Sequence, residues 1–423
     1  MGTINSYFVK KDDGLYLVTN EVKKKKRMNF FRFGIFLALI LAVVAVIIIV
    51  CGAVKKNEQK KENEILKTVT EATGLGEQYF YDEALAVISG SKHSSDAKLV
   101  NLKNEIENKK ASLVEYDGQF YHVFFHSLIV YPELAFDGDY MHEGYDMWMT
   151  TVSEFKAMLP QLYERGFILC SIKDISPEGK ILLPEGKKPL VISIDDVNYY
   201  EYMENDGFAD RLLVDESGNV VCEVKKPDGS YELSYEGDVM PILDGFVKEH
   251  PDFSYRGAKG IVAVTGYEGA FGYDFAEIEE GEEKERLKAE AKKVAEALKN
   301  TGWLIACHSY SHNDYFRDGG VTFEELEYDT VRFLDRISES VLNPDIYISP
   351  FGYHLPEGDE RLQHLKSVGF DYFCPVSTAM RTFMTKDGVL IQERFNLDRF
   401  NMRNQKEYIN NTFFDVDTVY YKN

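Results

Sequence analysis

From Phe33 to Val54 the chain reads FGIFLALILAVVAVIIIVCGAV, with no charged residue. At 1.5 Å rise per residue a helix of this length spans the roughly 30 Å hydrocarbon core of a bilayer. A cleaved signal peptide would have a shorter apolar region nearer the start, and a buried core helix would show a polar face. The pattern therefore predicts a transmembrane helix over 33–54. Beyond it, residues 55–112 are rich in Lys and Glu, and the segments YDEALAVISG and DAKLVNLKNEIENKKASL carry apolar positions at helical spacing. They predict two short amphipathic helices separated by the polar SGSKHSSD, forming a stalk, spacer or helical hairpin.

From about Ser112 the period changes. Short, nearly uncharged runs (YHVFF, ILCSI, PLVISI, GIVAVTG, WLIAC, DIYIS, DYFCPV) alternate with longer segments of spacing three and four. These include TVSEFKAMLPQLYERGF, MPILDGFVKEH, EKERLKAEAKKVAEALKNTG, TFEELEYDTVRFLDRISESVL and DERLQHLKSVGF. Strands buried on both faces and alternating with helices predict a parallel α/β domain over 113–423. RLLVDESGNVVCEV, followed by PDGSYELSY, reads as a β-hairpin and its continuation, near 205–235. In α/β folds the chemistry gathers at the C-terminal ends of the strands.

Charge adds a direction. Residues 1–32 hold eight Lys/Arg against three Asp/Glu, and of the net −22 this leaves −27 on the remainder. A nucleic-acid partner is excluded by repulsion from phosphate. The cluster Lys23–Arg27 directly before the apolar run fixes residues 1–32 as a cytoplasmic tail and places 55–423 outside, because positive charge stays in the cytoplasm. The layout resembles that of a bacterial membrane-anchored envelope protein. Cys51 lies in the span, and Cys170, Cys222, Cys307 and Cys374 are scattered with no CxxC pair, so neither a disulfide scaffold nor a cysteine zinc site is expected.

Three clusters fall at predicted strand ends: Asp195-Asp196 after PLVISI, His308 and His312 in HSYSH after WLIAC, and Ser349-Pro350-Phe351-Gly352 after DIYIS. Taken singly, each has an ordinary structural explanation as a cap, a turn or a solvated group. Together they carry more. On a helical turn, i and i+4 share a face, so both imidazoles would reach one ion. Two histidines and one carboxylate leave open positions for water and substrate, and the second acid stands beside that water as a base.

In these residues the chain resembles the polysaccharide deacetylases of the NodB-homology type, carbohydrate esterase family 4. Ser193-Ile194-Asp195-Asp196-Val197 is similar to the family's T/S-F-D-D-G. Gly302 to His308 followed by His312 is similar to its histidine motif, and Ile348-Ser349-Pro350-Phe351-Gly352 to R-x-P-Y/F-G. The resemblance covers about residues 115–400 and implies a distorted (β/α) barrel. It implies Asp196, His308 and His312 as ligands of a divalent metal, zinc or else cobalt, nickel or manganese. It implies Asp195 as the general base and Pro350, Phe351 and Gly352 as substrate-binding residues.

The chain departs from the family pattern at three places. Ile348 stands where the family has the arginine that orients the base. The family's Asp/Trp motif is absent, and no histidine follows His364 to serve as general acid. The segment ERFNLDRF, with Arg394, Asp398 and Arg399, offers an arginine for the orienting role. His126 and His354 are candidates for the acid, although the sequence does not place them near the metal. The expected function is a membrane-anchored, extracellular, metal-dependent deacetylase acting on an N- or O-acetylated envelope polysaccharide or on peptidoglycan. The alternative is a deacetylase-like module that binds glycan or scaffolds the envelope without catalysis. Aromatics such as Tyr199, Tyr200 and Tyr310 either line a sugar groove or pack the barrel.

Overall fold

The computed structural model describes residues 4–21 and 30–421, in two compact units, 1–68 and 69–423. The basic cluster Lys23–Arg27, which carries the orientation reading, lies outside the described residues.

In the first unit, Ile4–Lys11 and Gly14–Glu21 form an antiparallel hairpin around Asp12-Asp13, to which the sequence reading assigned no element. The apolar run is helical, long and apolar enough to cross a membrane, and the helix continues without a break from Phe30 to Glu77.

In the second unit, two helices follow the boundaries read from their periodicity, Tyr81–Gly90 and Ala97–Ala111. They are docked. The Tyr79 hydroxyl donates to the Asp252 carbonyl at 2.9 Å, Arg256 N donates to the Gln78 carbonyl at 2.8 Å, and Arg256 pairs with Glu83.

The wall of the domain is a curled, mostly parallel sheet. Its strands are β1 (Tyr121–Phe125), β2 (Phe167–Leu169), β3 (Lys188–Ile194), β4 (Ile261–Val264), β5 (Leu304–Cys307), β6 (Ile346–Ile348), β7 (Tyr372–Cys374), β8 (Leu390–Gln392) and β9 (Phe395–Asn396). The pairing order runs β8-β7-β6-β5-β4-β3-β1-β9, with β2 against the start of β3 and the short strand Thr382–Met384 antiparallel to β8. β8 and β9 belong to one stretch of chain. Its first half pairs with β7 and its second half with β1, so this stretch closes the ring as a distorted (β/α) barrel.

Period-2 alternation sorts the side chains into two layers. Facing out, Val123, Phe125, Ile192, Ile194, Val262, Val264, Cys307, Tyr347 and Phe373 pack against helices that include Val152–Glu164, Val239–Glu249, Glu282–Asn300 and Phe323–Arg336. Facing in, Phe120, Val191, Ile261, Ala263, Ala306, Ile346, Ile348, Cys374 and Leu390 fill the barrel. Thr151 and Thr322 close capping boxes at the first and last of these helices. Gly302 turns the Glu282–Asn300 helix into β5 at φ +99°, where a Cβ would lie 1.9 Å from the Gly257 carbonyl oxygen. The segment 205–235 is a separate antiparallel sheet of Ala209–Val214, Val220–Lys225 and Tyr231–Ser234.

Candidate metal centre

The C-terminal ends of β1, β3, β4, β5 and β6 converge on one mouth. Asp195 is the first residue after β3. Its N–H donates to the Phe125 carbonyl at 2.8 Å, and its side chain is buried, with Oδ1 accepting from Arg394 Nη1 at 2.7 Å. Asp196 turns away through a left-handed backbone, φ +57°, a conformation a residue other than glycine keeps only when its surroundings impose it. Here those surroundings are the Tyr200 hydroxyl at 2.5 Å and the Thr265 hydroxyl at 2.6 Å, both donating to Asp196 Oδ1. Asn198 in turn holds Thr265, accepting from its N–H at 2.8 Å.

HSYSH is not a helical turn, which corrects the reading of its spacing. Ser309 (φ +68°) and His312 (φ +46°) lie in the left-handed region, and the segment is an irregular loop. The two rings meet nonetheless, with centroids 5.0 Å apart. Asp329, buried on the helix Phe323–Arg336, imposes that loop. It accepts from Tyr310 N at 2.6 Å, Ser311 N at 2.9 Å, Ser311 Oγ at 2.5 Å and Tyr315 OH at 3.2 Å. Side chains from another helix, rather than the i, i+4 period, bring the imidazoles together.

Ligand atoms of Asp196, His308 and His312 lie within 4.8 Å of one another. His308 Nδ1 is bonded to the Ile348 carbonyl at 2.9 Å, which leaves Nε2 with its lone pair 3.8 Å from Asp195 Oδ2 and 4.0 Å from Asp196 Oδ2. A backbone carbonyl that fixes the far nitrogen of a histidine is the usual support for a metal-ligating imidazole. Burial lowers the His308 pKa, against the opposing pull of Asp195 and Asp196. Burial would raise the Asp196 carboxyl, but His312, His308 and His126, with the Thr265 hydroxyl, outweigh it and hold it well below the ordinary range. Ligation requires neutral imidazole beside ionised carboxylate, and burial moves His308 in that direction. One oxygen and two nitrogen donors with open positions fit zinc, and equally cobalt, nickel or manganese.

Of the third cluster, Pro350 and Gly352 are buried in the turn, and Phe351 (φ +53°) sets its ring 4.4 Å from that of His312. Ile348 faces into the barrel where the family pattern has arginine. The guanidinium beside Asp195 comes from Arg394, between β8 and β9. His126 follows β1, whose Phe125 pairs with Ile194, and its charge acts on Asp196. Its Nδ1 meets the Trp148 carbonyl at 3.1 Å, so Nε2 is the nitrogen able to exchange a proton with a ligand. His354 is exposed, with its Nε2 on the Val376 carbonyl at 2.8 Å. Beside Asp196 and His312 a cleft opens, lined by Tyr200, Tyr202, Tyr267, Glu277, Asn313 and Arg332. Tyr200 is stacked there between Tyr202 and Tyr267, each at 5.3 Å. Tyr199 is packed in the core, and Tyr310 packs there while also reaching the wall of the cleft.

No family model matches the chain, and no curated protein matches it significantly in sequence. Among solved structures it is similar to the Streptococcus pyogenes deacetylase PplD in complex with acetate, at 13% identity and TM-score 0.38 over 68% of this chain and 97% of that one. It is similar to IcaB from Ammonifex degensii at 12% identity and TM-score 0.39, over 69% and 96%. It is similar to the BpsB deacetylase domain from Bordetella bronchiseptica at 10% identity and TM-score 0.35, over 67% and 99%. These overlaps are loose, and the chemistry below rests on the residues of this chain.

Proposed function

We propose that the chain is a membrane-anchored, metal-dependent hydrolase that removes acetyl groups from an N-acetylated, or O-acetylated, envelope polysaccharide or peptidoglycan. The observation that supports it is a carboxylate clamped by a buried arginine, Asp195 on Arg394, beside a separate carboxylate and imidazole set at a barrel mouth. In this reading residues 1–32 are cytoplasmic, 33–54 span the membrane, 55–112 are a spacer docked in part on the barrel, and 113–423 are the extracellular catalytic domain.

Asp196, His308 and His312 would hold the cation, which when bound supplies Lewis acidity toward the acetyl carbonyl and the attacking water. Asp195 takes the proton of that water. Arg394 keeps the carboxylate aimed, occupying Oδ1 and leaving Oδ2 on the His308 side. His126 Nε2 supplies the proton to the departing nitrogen. The stacked tyrosines give a pyranose a flat apolar face at the entrance to the site.

The test uses the full chain in detergent, with metal content and acetate release from N-acetylated oligosaccharides measured together. About one equivalent of a divalent metal is expected. Asp196→Ala and His308→Ala/His312→Ala should lose it, while Asp195→Asn keeps the metal and releases no acetate. Absence of metal after reconstitution with zinc, cobalt, nickel and manganese would sink the proposal. Oligosaccharide binding without acetate release would favour the glycan-binding alternative.

A further inference from the structure

The inner face of the barrel is apolar at its base, but one arc directly beneath the site is not. His122 on β1, Ser193 on β3, and Gln392 and Arg394 on the closing stretch are all buried there. Across from them the same face carries Ala263 and Ala306, side chains too small to reach over.

Hydrogen bonding orders this arc. Arginine has donors only. Arg394 spends Nε on the Cys374 carbonyl at 3.2 Å and Nη1 on Asp195 Oδ1 at 2.7 Å and Ser193 Oγ at 3.1 Å, while its plane lies 4.3 Å from the Phe124 ring. Ser193 Oγ therefore accepts from the guanidinium, and its single hydrogen can be given to His122 Nε2 at 3.0 Å. Nε2 is then an acceptor, and the ring proton belongs on Nδ1. That nitrogen has the Gln392 amide as its polar neighbour, yet it, both polar atoms of Gln392 and Arg394 Nη2 make no well-aligned hydrogen bond, although all are buried. A cluster of buried donors and an acceptor without partners is what internal water satisfies.

We propose that His122, as the Nδ1–H tautomer, is a positioning residue for the base. Through Ser193 it fixes Arg394, and through Arg394 the carboxylate of Asp195, with buried water joining its Nδ1–H to Gln392 and Arg394 Nη2. Burial, and then the charge of Arg394, lower the pKa of the ring and keep it neutral, against the opposing contact with Gln392. Its importance for turnover rests on the deacetylase reading, whereas its tautomer and its hold on Arg394 do not.

The experiment uses the full chain in detergent, labelled with 15N in histidine and arginine, as wild type, His122→Phe and His122→Gln. The expected His122 signal at pH 7 has a protonated Nδ1 and a bare Nε2. The Nε–H signal of Arg394 should be slow to exchange in the wild type and in His122→Gln, whose side-chain amide both accepts and donates, and lost in His122→Phe. In acetate release, His122→Phe should lower kcat about tenfold or more with KM and metal content unchanged, and His122→Gln should restore most of it. An Nε2–H tautomer, or an Arg394 signal unchanged in His122→Phe, overturns the proposal. If the wild type releases no acetate, it is the deacetylase reading that falls, and the two NMR signals alone decide the role of His122.

Discussion

Arg394 and Asp195 are 199 positions apart in sequence and 2.7 Å apart in space, both buried, one nitrogen to one oxygen. In the proposed reading this pair takes the place of an arginine at position 348, where the chain has Ile348. Removing one member of a buried ion pair costs about 3–5 kcal/mol, because the other is left without a counter-charge. Arg394→Ala should therefore lower both thermal stability and acetate release. Arg394→Lys keeps the charge but not the fork, and should recover stability more than turnover. Equal activity in Arg394→Ala and wild type would remove the clamp from the mechanism.

Metal and stability are coupled through Asp196, His308 and His312. An ion that binds only the folded chain adds about 2.7 kcal/mol at a hundredfold excess over its Kd. A chelator should lower the melting temperature of the wild type and leave that of His308→Ala/His312→Ala where it was. A chelator shift of equal size in that variant would place the metal elsewhere.

Asp329 holds the HSYSH loop through three hydrogen bonds, with a fourth to Tyr315 just beyond it. Asp329→Ala should weaken metal affinity by about 10- to 100-fold without removing a ligand. Isothermal titration with zinc reads this directly, and unchanged affinity would mean that the loop holds its own shape.

Tyr200→Phe keeps the ring between Tyr202 and Tyr267 and deletes only the hydroxyl on Asp196 Oδ1. Metal affinity should fall by about tenfold, with little change in melting temperature. A large loss of stability instead would make that hydroxyl a packing element.

Asp398 gives a pH prediction away from the site. Burial pushes its carboxyl up to about 7, against the opposing hydrogen bond from Asn401 N and the charge of Arg403. A folded value above the unfolded one means that its stabilisation is fully present below about pH 3.8 and is lost as pH rises through about 7. The difference amounts to about 4 kcal/mol. Asp398→Asn should thus gain on the wild type between pH 4 and pH 8 in chemical denaturation. A pH-independent gap would mean that Asp398 is ionised throughout.

Periodicity carried much of the barrel into view. WLIAC, GIVAVTG and PLVISI became β5, β4 and β3, and Asp196, His308 and His312 came together at the strand ends as their positions implied. What stayed hidden depends on distant chain or on backbone conformation. Nothing local to Arg394 points to Asp195. No residue type announces the left-handed φ at Asp196, Ser309 and His312, because the contacts that impose the local path come from Tyr200, Thr265 and Asp329. His122 left one faint mark, a polar residue in the otherwise apolar HVFF. The hairpin 4–21 left a plainer one, Asp-Asp-Gly between two strand-like runs.

Closure of the barrel by β8 and β9 has a consequence for biosynthesis. Every other site residue is translated before Arg394, so Asp195 leaves the ribosome nearly 200 residues ahead of its counter-charge. At about 5–20 residues per second that is a wait of roughly ten seconds or more. Until then the ring has an open edge and an uncompensated acid facing its centre. A nascent chain that lacks the last stretch therefore has no partly formed version of this cluster, which is complete only as the final wall is laid.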